Sequence, residues 1–162
     1  MKRTTLFVLA LTVLSSSLAQ AAEQLKVSTH VKVDGKALPV QIDYVESGKQ
    51  VVYTEHDSIE YVTSVTKGVE RKKTRALGLS GKITPRLVKP DGTVRITGEL
   101  SFVGIDRMKT VKYGASDYQL PKFWSQLIAL SPKKGNVGEA ITLDHYSGSG
   151  HVLDVEVTVT RP

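Results

Sequence analysis

The 162-residue chain holds 22 basic and 16 acidic residues, a formal charge of +6, and no cysteine. Without cysteine there can be no disulfide, thiolate metal site, thiol nucleophile or lipid-modified cysteine, so the fold must rest on burial and backbone pairing. A modest basic excess on an exported chain favours acidic envelope polymers, anionic head groups or an acidic protein over nucleic acid as a partner, without choosing among them.

Lys2 and Arg3 precede an apolar run from Leu6 to Leu14 and the small residues Ala19-Gln20-Ala21. That is the pattern of a cleaved secretory signal over residues 1–21, and its apolar run is too short for a comfortable membrane-spanning helix. Cleavage lowers the formal charge to +4 and leaves residues 22–162, the size of a single domain. No later segment is apolar for long enough to cross a bilayer as a helix. The expected location is the periplasm or the exterior.

The mature chain opens with Leu25, Val27, Thr29, Val31 and Val33 alternating with polar residues, then breaks at Asp34-Gly35. This is a half-buried strand and a turn. Leu38, Val40, Ile42 and Tyr44 continue the alternation, with Pro39 near the start where a missing amide donor is tolerable. Val51-Val52-Tyr53 begins a short strand after Ser47-Gly48, and Ile59, Tyr61, Thr63 and Val65 form another.

Five of the nine residues from Lys67 to Arg75 are basic: Lys67, Arg71, Lys72, Lys73 and Arg75. They read as a solvated hairpin tip or charge-guarded edge, or as a patch for an acidic partner.

Leu77, Leu79, Ile83 and Leu87, then Val94, Ile96, Leu100 and Phe102, flank Lys89-Pro90-Asp91-Gly92. Two period-two runs around such a turn predict a half-buried hairpin from Leu77 to Val103, the centre of the architecture. Residues 104–119 break the pattern and read as a long loop, with room for a short strand from Lys109 to Tyr113. Lys122 to Leu130 fits a short helix through Phe123, Leu127 and Leu130, and fits a strand nearly as well. Within it Trp124, the only tryptophan, is either a core plug or a ligand platform.

A turn-rich link at Ser131-Pro132-Lys133-Lys134-Gly135-Asn136 leads to a short strand, Ala140 to Leu143. A loop from Asp144 to His151 then precedes a final alternating strand of Leu153, Val155, Val157 and Val159. Together these elements predict an all-β fold: an antiparallel β-sandwich or partly open barrel of about eight short strands, with at most one short helix.

Catalytic patterns are weak. His56 lies beside Glu55 and Asp57, and His145 and His151 bracket a loop after Asp144. Metal ligation would require three or four such side chains to converge at about 2 Å from an ion, and ordinary surface hydrogen bonding explains the same residues. Ser147-Gly148-Ser149-Gly150 lacks the glycine two residues before Ser149 that a nucleophile elbow needs. Asp154 and Glu156 share one face of the last strand, as charges on a solvated face commonly do. No cofactor is called for.

In order along residues 46–143 come Gly48, a strand ending at Tyr61-Val62, Gly81-Lys82-Ile83-Thr84-Pro85 with Asp91-Gly92-Thr93-Val94, then Leu120-Pro121 and Gly138-Glu139-Ala140. This order resembles the core β-domain of the bacterial secretins, ring-forming outer-membrane channels of secretion and pilus systems. It matches that family's glycine-to-proline hairpin with an Asp-Gly turn, its Leu-Pro step and a late glycine strand. Secretin subunits carry several periplasmic domains before this region, and pore-forming lip hairpins are not evident here. The resemblance therefore implies a secretin-like accessory or truncated relative, and channel activity is not carried over.

The leading expectation is a non-enzymatic exported β-domain that binds or assembles with another envelope component, in a pilus or secretion system, with an oligomer left open. One competing expectation is a periplasmic small-ligand or metal-binding protein, or hydrolase, with its site near Trp124 and the His145–His151 loop. Another is a binder of acidic envelope polymers through residues 67–75.

Overall fold

The computed structural model describes residues 23–55, 57–88 and 92–162. The secretory signal expected over residues 1–21, His56, and the Asp91 expected in the central turn lie outside the described residues.

Among the described residues ten strands follow one another: β1 (Gln24–Val33), β2 (Lys36–Ala37), β3 (Gln41–Glu46), β4 (Val51–Tyr53), β5 (Asp57–Thr66), β6 (Val69–Val88), β7 (Thr93–Tyr113), β8 (Ser116–Asn136), β9 (Ala140–Gly148) and β10 (His151–Thr160). They form two antiparallel five-stranded sheets, neither closed on itself. In the first, β2 and β3 lie end to end along one side of β1, and β10 and then β9 follow on the other. In the second, β4 and β5 share one side of β6, followed by β7 and β8. Each sheet is therefore four strands wide with one edge strand in two pieces, so ten strands fill the eight positions the sequence leads one to expect.

Period-two spacing places the core. Leu25, Val27 and Val31 of β1 and Leu153, Val155, Val157 and Val159 of β10 are buried from one sheet. Leu79, Ile83 and Leu87 of β6 and Val94, Ile96, Leu100 and Phe102 of β7 are buried from the other. These facing rows remove apolar surface from water at roughly 25 cal/mol per Å2, which is where an antiparallel sandwich gets its stability.

The hairpin expected at Leu77–Val103 is present, paired from Val88↔Thr93 to Gly78↔Val103. It is kinked where Gly81 and Gly98 adopt φ of 119° and 147°. A Cβ on either would meet the opposing backbone, at 2.3 Å from the Glu99 carbonyl oxygen and 2.2 Å from that of Lys82. Only glycine fits such a crossing.

Four local expectations change. The turn-rich link expected at residues 131–136 is the end of β8, where Lys133 to Asn136 pair with Ile96 to Thr93. Residues 104–113 are not a loop: β7 continues through them and turns at Gly114-Ala115 into β8. Lys122 to Leu130 is strand throughout, because each residue from Lys122 to Leu130 joins the ladder with β7. Most of the loop drawn from Asp144 to His151 is strand as well, with the turn confined to Ser149-Gly150.

Beyond Gly78↔Val103 the second sheet divides. β6 runs on beside β5 alone, over Val69–Leu77, and β7 runs on beside β8 alone, over Gly104–Tyr113. At about 3.4 Å per residue each hairpin projects roughly 30 Å past the sandwich. The two lie against each other through β5 and β8. Tyr61 and Phe123 rings sit 5.5 Å apart, the Arg75 guanidinium lies 4.9 Å over Phe123, and Val62 and Val65 approach Tyr113 and Tyr118. No residue of 57–77 or 103–123 is fully buried. The first hairpin turns on Lys67-Gly68 with φ of 51° and 76°, the positive values of a two-residue turn that matches strand twist.

Candidate functional site

Chemistry-bearing side chains gather where the second sheet divides. Trp124 enters the core from β8 beside Phe102, ring centroids 5.2 Å apart. Its indole stacks on His151 at 4.8 Å and 8°, and more loosely on Tyr146 at 6.3 Å. The backbone admits the indole because residue 104 is glycine: a Cβ there would lie 2.5 Å from the indole nitrogen.

His151 begins β10 and reaches both sheets. Its Nδ1 lies 2.9 Å from Asp34 Oδ2, in the β1–β2 turn, and its Nε2 lies 3.3 Å from Asp106 Oδ1, on β7. Lys122 Nζ is 2.9 Å from the other Asp106 oxygen. Asp34 also accepts the Val152 amide at 2.8 Å. The Asp34 hydrogen bond, aided by Asp106, raises the His151 pKa above its ordinary value against the opposing effect of burial. Both carboxyls are held below the usual range, Asp34 chiefly by His151 and Asp106 chiefly by Lys122. Both ring nitrogens of His151 face carboxylate oxygens, which accept and do not donate when ionised, so the protonated ring is the form that satisfies both contacts. The side chain ties the first sheet to the second through these two carboxylates.

Trp124 and His151, both singled out from the sequence, thus come together, and Tyr146 joins them. His145 does not: it pairs with Asp154 on the exposed side of β9 and β10. Among the described residues no group of three His, Asp or Glu side chains is placed to hold a metal ion. Asp34, Asp106 and Lys122 were not singled out as site residues. Asp34 reads as a turn residue in sequence, and its bond to a histidine 117 positions away leaves no local signal.

A cleft of about 500 Å3 opens at the same division. Its walls are mostly apolar, including Val31 and Leu38 from the first sheet and Leu77, Leu79, Phe102 and Ile105 from the second. Thr29 also lines it, its hydroxyl 2.6 Å from that of Tyr53. Burial pushes the Tyr53 pKa up to about 12, against the lowering effect of this bond.

The basic residues of 67–75 are strand as well as tip. Lys67 is in the turn, while Arg71, Lys72, Lys73 and Arg75 lie along β6, all exposed. Lys72 is bound to Glu60 at 3.1 Å and Arg75 covers Phe123. Among the described residues Lys67, Arg71 and Lys73 form no ion pair.

No family model matches the sequence, and no curated protein does. Among solved structures, the backbone is similar to the secretin-domain β-barrel of InvG from the Salmonella SPI-1 injectisome, at 10% identity and a TM-score of 0.45. That match covers 87% of this chain and 60% of the other. It is similar also to InvG in a near-atomic structure of the injectisome secretin, again at 10% identity, with a TM-score of 0.42, over 86% of this chain and 61% of that one. The chain thus spans less than two thirds of the chains it resembles. The likeness to secretin β-domains is weak, and the residues that carry it in sequence fall at the kink and hairpin of β6 and β7, at Leu120-Pro121 in β8, and at the β8–β9 turn.

Proposed function

We propose that this is a non-enzymatic, exported β-domain that assembles with another component of the bacterial envelope by adding a strand at its β3 edge. The observation that carries the reading is the outward row on that strand. Ile42 and Tyr44 on β3 are 50% and 62% exposed, Val40 just before it is 47% exposed, and among the described strands β3 pairs only with β1. A sheet edge with free backbone groups and a contiguous apolar row is a template for a partner strand, since natural edges are otherwise guarded by outward charge. Export is supported by the signal-like residues 1–21. A binding role is supported by His145 and His151, both of which face carboxylates. A pilus or secretion assembly is the context that the secretin-like residues imply.

The test is site-specific photocrosslinking from position 42 or 44 in the producing bacterium. One discrete adduct, lost when Ile42→Lys or Tyr44→Lys guards the edge, is the expected result. Adducts that are absent, or unchanged by the added charge, would overturn the reading.

A further inference from the structure

The division of the second sheet leaves a second, chemically distinct edge. Over Val69–Leu77 β6 has a ladder partner on one side only, β5, and over Gly104–Tyr113 β7 has only β8. Each is an interior strand of the sandwich that becomes an edge where the hairpins project. Alternate residues of the nine from Val69 to Leu77 therefore offer an unpaired row of amides and carbonyls, the others bonding β5.

Both walls of this division are basic. Arg71, Lys73 and Arg75 stand on β6, and Arg107, Lys109 and Lys112 on β7, all exposed. Residues 57–77 and 103–125 together hold nine Lys and Arg against five Asp and Glu, while the rest of residues 22–162 sums to no net charge. The whole basic excess of the mature chain is thus concentrated on the two hairpins. At the inner end of the free β6 edge, next to Leu77 and Gly78, lies the apolar cleft of about 500 Å3.

An unpaired strand edge, cations along it and an apolar cavity at its end have one occupant in common. The geometry points to an acidic peptide segment of a partner protein, bound in extended form along β6 from Val69 to Leu77, with one large apolar side chain seated in the cleft. Main-chain hydrogen bonds supply a sequence-tolerant part of the affinity, the carboxylates select sign and register, and the cavity fixes the end of the segment. A disordered anionic polymer would use the cations but neither the ladder nor the cleft. The free ladder of Val69–Leu77 is distinct from that of β3, although the cleft at its inner end is also lined by Gln41 at the start of β3, so the two sites are told apart by which strand a bound peptide protects.

The test is selection of a displayed library of random peptides, about ten residues long, against the protein of residues 22–162, which contains every described strand. The expected winners are acidic, free of proline, and carry one large apolar residue whose replacement by alanine costs at least about tenfold in affinity. Their binding slows amide exchange within 69–77 and weakens at least about tenfold in the Arg71→Glu, Lys73→Glu double variant. The exchange measurement uses the unaltered protein and does not depend on how that variant folds. The inference is overturned if no peptides are enriched, if the winners are not acidic, or if their binding protects β3 in place of β6. It is overturned equally if polyglutamate or phosphatidylglycerol vesicles bind as tightly as the selected peptides.

Discussion

The His151 imidazole lies parallel to the Trp124 indole at 4.8 Å while its two nitrogens engage the carboxylates of Asp34 and Asp106. One side chain thereby joins the β1–β2 turn, β7, β8 and β10 at the point where the second sheet divides. The protonated ring suits every contact: a cation against an aromatic face and two charge-assisted hydrogen bonds.

This arrangement predicts the direction of the stability profile. The folded-state pKa of His151 lies above its unfolded value, so its contribution is fully present below about pH 6.5 and is lost as pH rises through the higher folded value. Asp34 and Asp106 are shifted the other way, so their contribution is present above the ordinary carboxylate range and is lost as pH falls through their depressed values. Urea midpoints followed by the fluorescence of the single tryptophan should therefore decline as pH rises above about 6.5. His151→Gln should remove that decline, and an identical slope in the variant would refute the role assigned to the ring.

Gly104→Ala tests the fit beside the indole. A Cβ at 2.5 Å from the Trp124 nitrogen and 3.1 Å from the Phe102 ring forces the aromatic cluster to shift, and overpacking of this kind costs about 1–3 kcal/mol. The expected signature is a lower urea midpoint with a changed tryptophan emission. In Gly104→Ala, Trp124→Phe the smaller ring should restore part of the loss.

Thr29 and Tyr53 make a buried hydroxyl pair between the sheets. Tyr53→Phe leaves the threonine oxygen without that partner and should cost about 1–3 kcal/mol, whereas adding Thr29→Val should recover much of it, since removing both polar groups is far cheaper than orphaning one. With its pKa at about 12, Tyr53 should also ionise after the exposed tyrosines in an alkaline absorbance titration, and Tyr53→Phe should delete that late step.

Much of the sandwich was legible because its faces follow the pleat. Leu79, Ile83, Val94, Ile96, Leu100, Val155 and Val157 stand at even spacing within their strands, and burial follows that spacing directly. The projecting hairpins were harder to read. From Asp106 to Tyr113 no apolar row is buried, so alternation carries no signal, and Gly104 and the bulge at Ile105/Arg107 resemble a loop in sequence. At the site, Trp124 and His151 could be named for their chemistry, but their convergence depends on pairing β10 with β1 and β7 with β8. Asp34 and Asp106 become partners only through that pairing.

Sandwich and hairpins should differ in how they open. Ile83 is fully buried, and Ile83→Ala removes core volume at a cost of about 2–5 kcal/mol, which should shift the global urea midpoint. The hairpins rest on their ladders and on contacts such as Tyr61 and Arg75 with Phe123, and isolated hairpins are marginal in water. Their amides should therefore exchange through local openings, faster than those of β1 or β10, which should exchange only on global unfolding. Phe123→Ala removes the ring that both Tyr61 and Arg75 meet. It should accelerate exchange across 57–77 and 104–123 while protection at Val27 and Val157 changes much less. Equal acceleration in β1 and β10 would mean that hairpins and sandwich unfold as one cooperative unit.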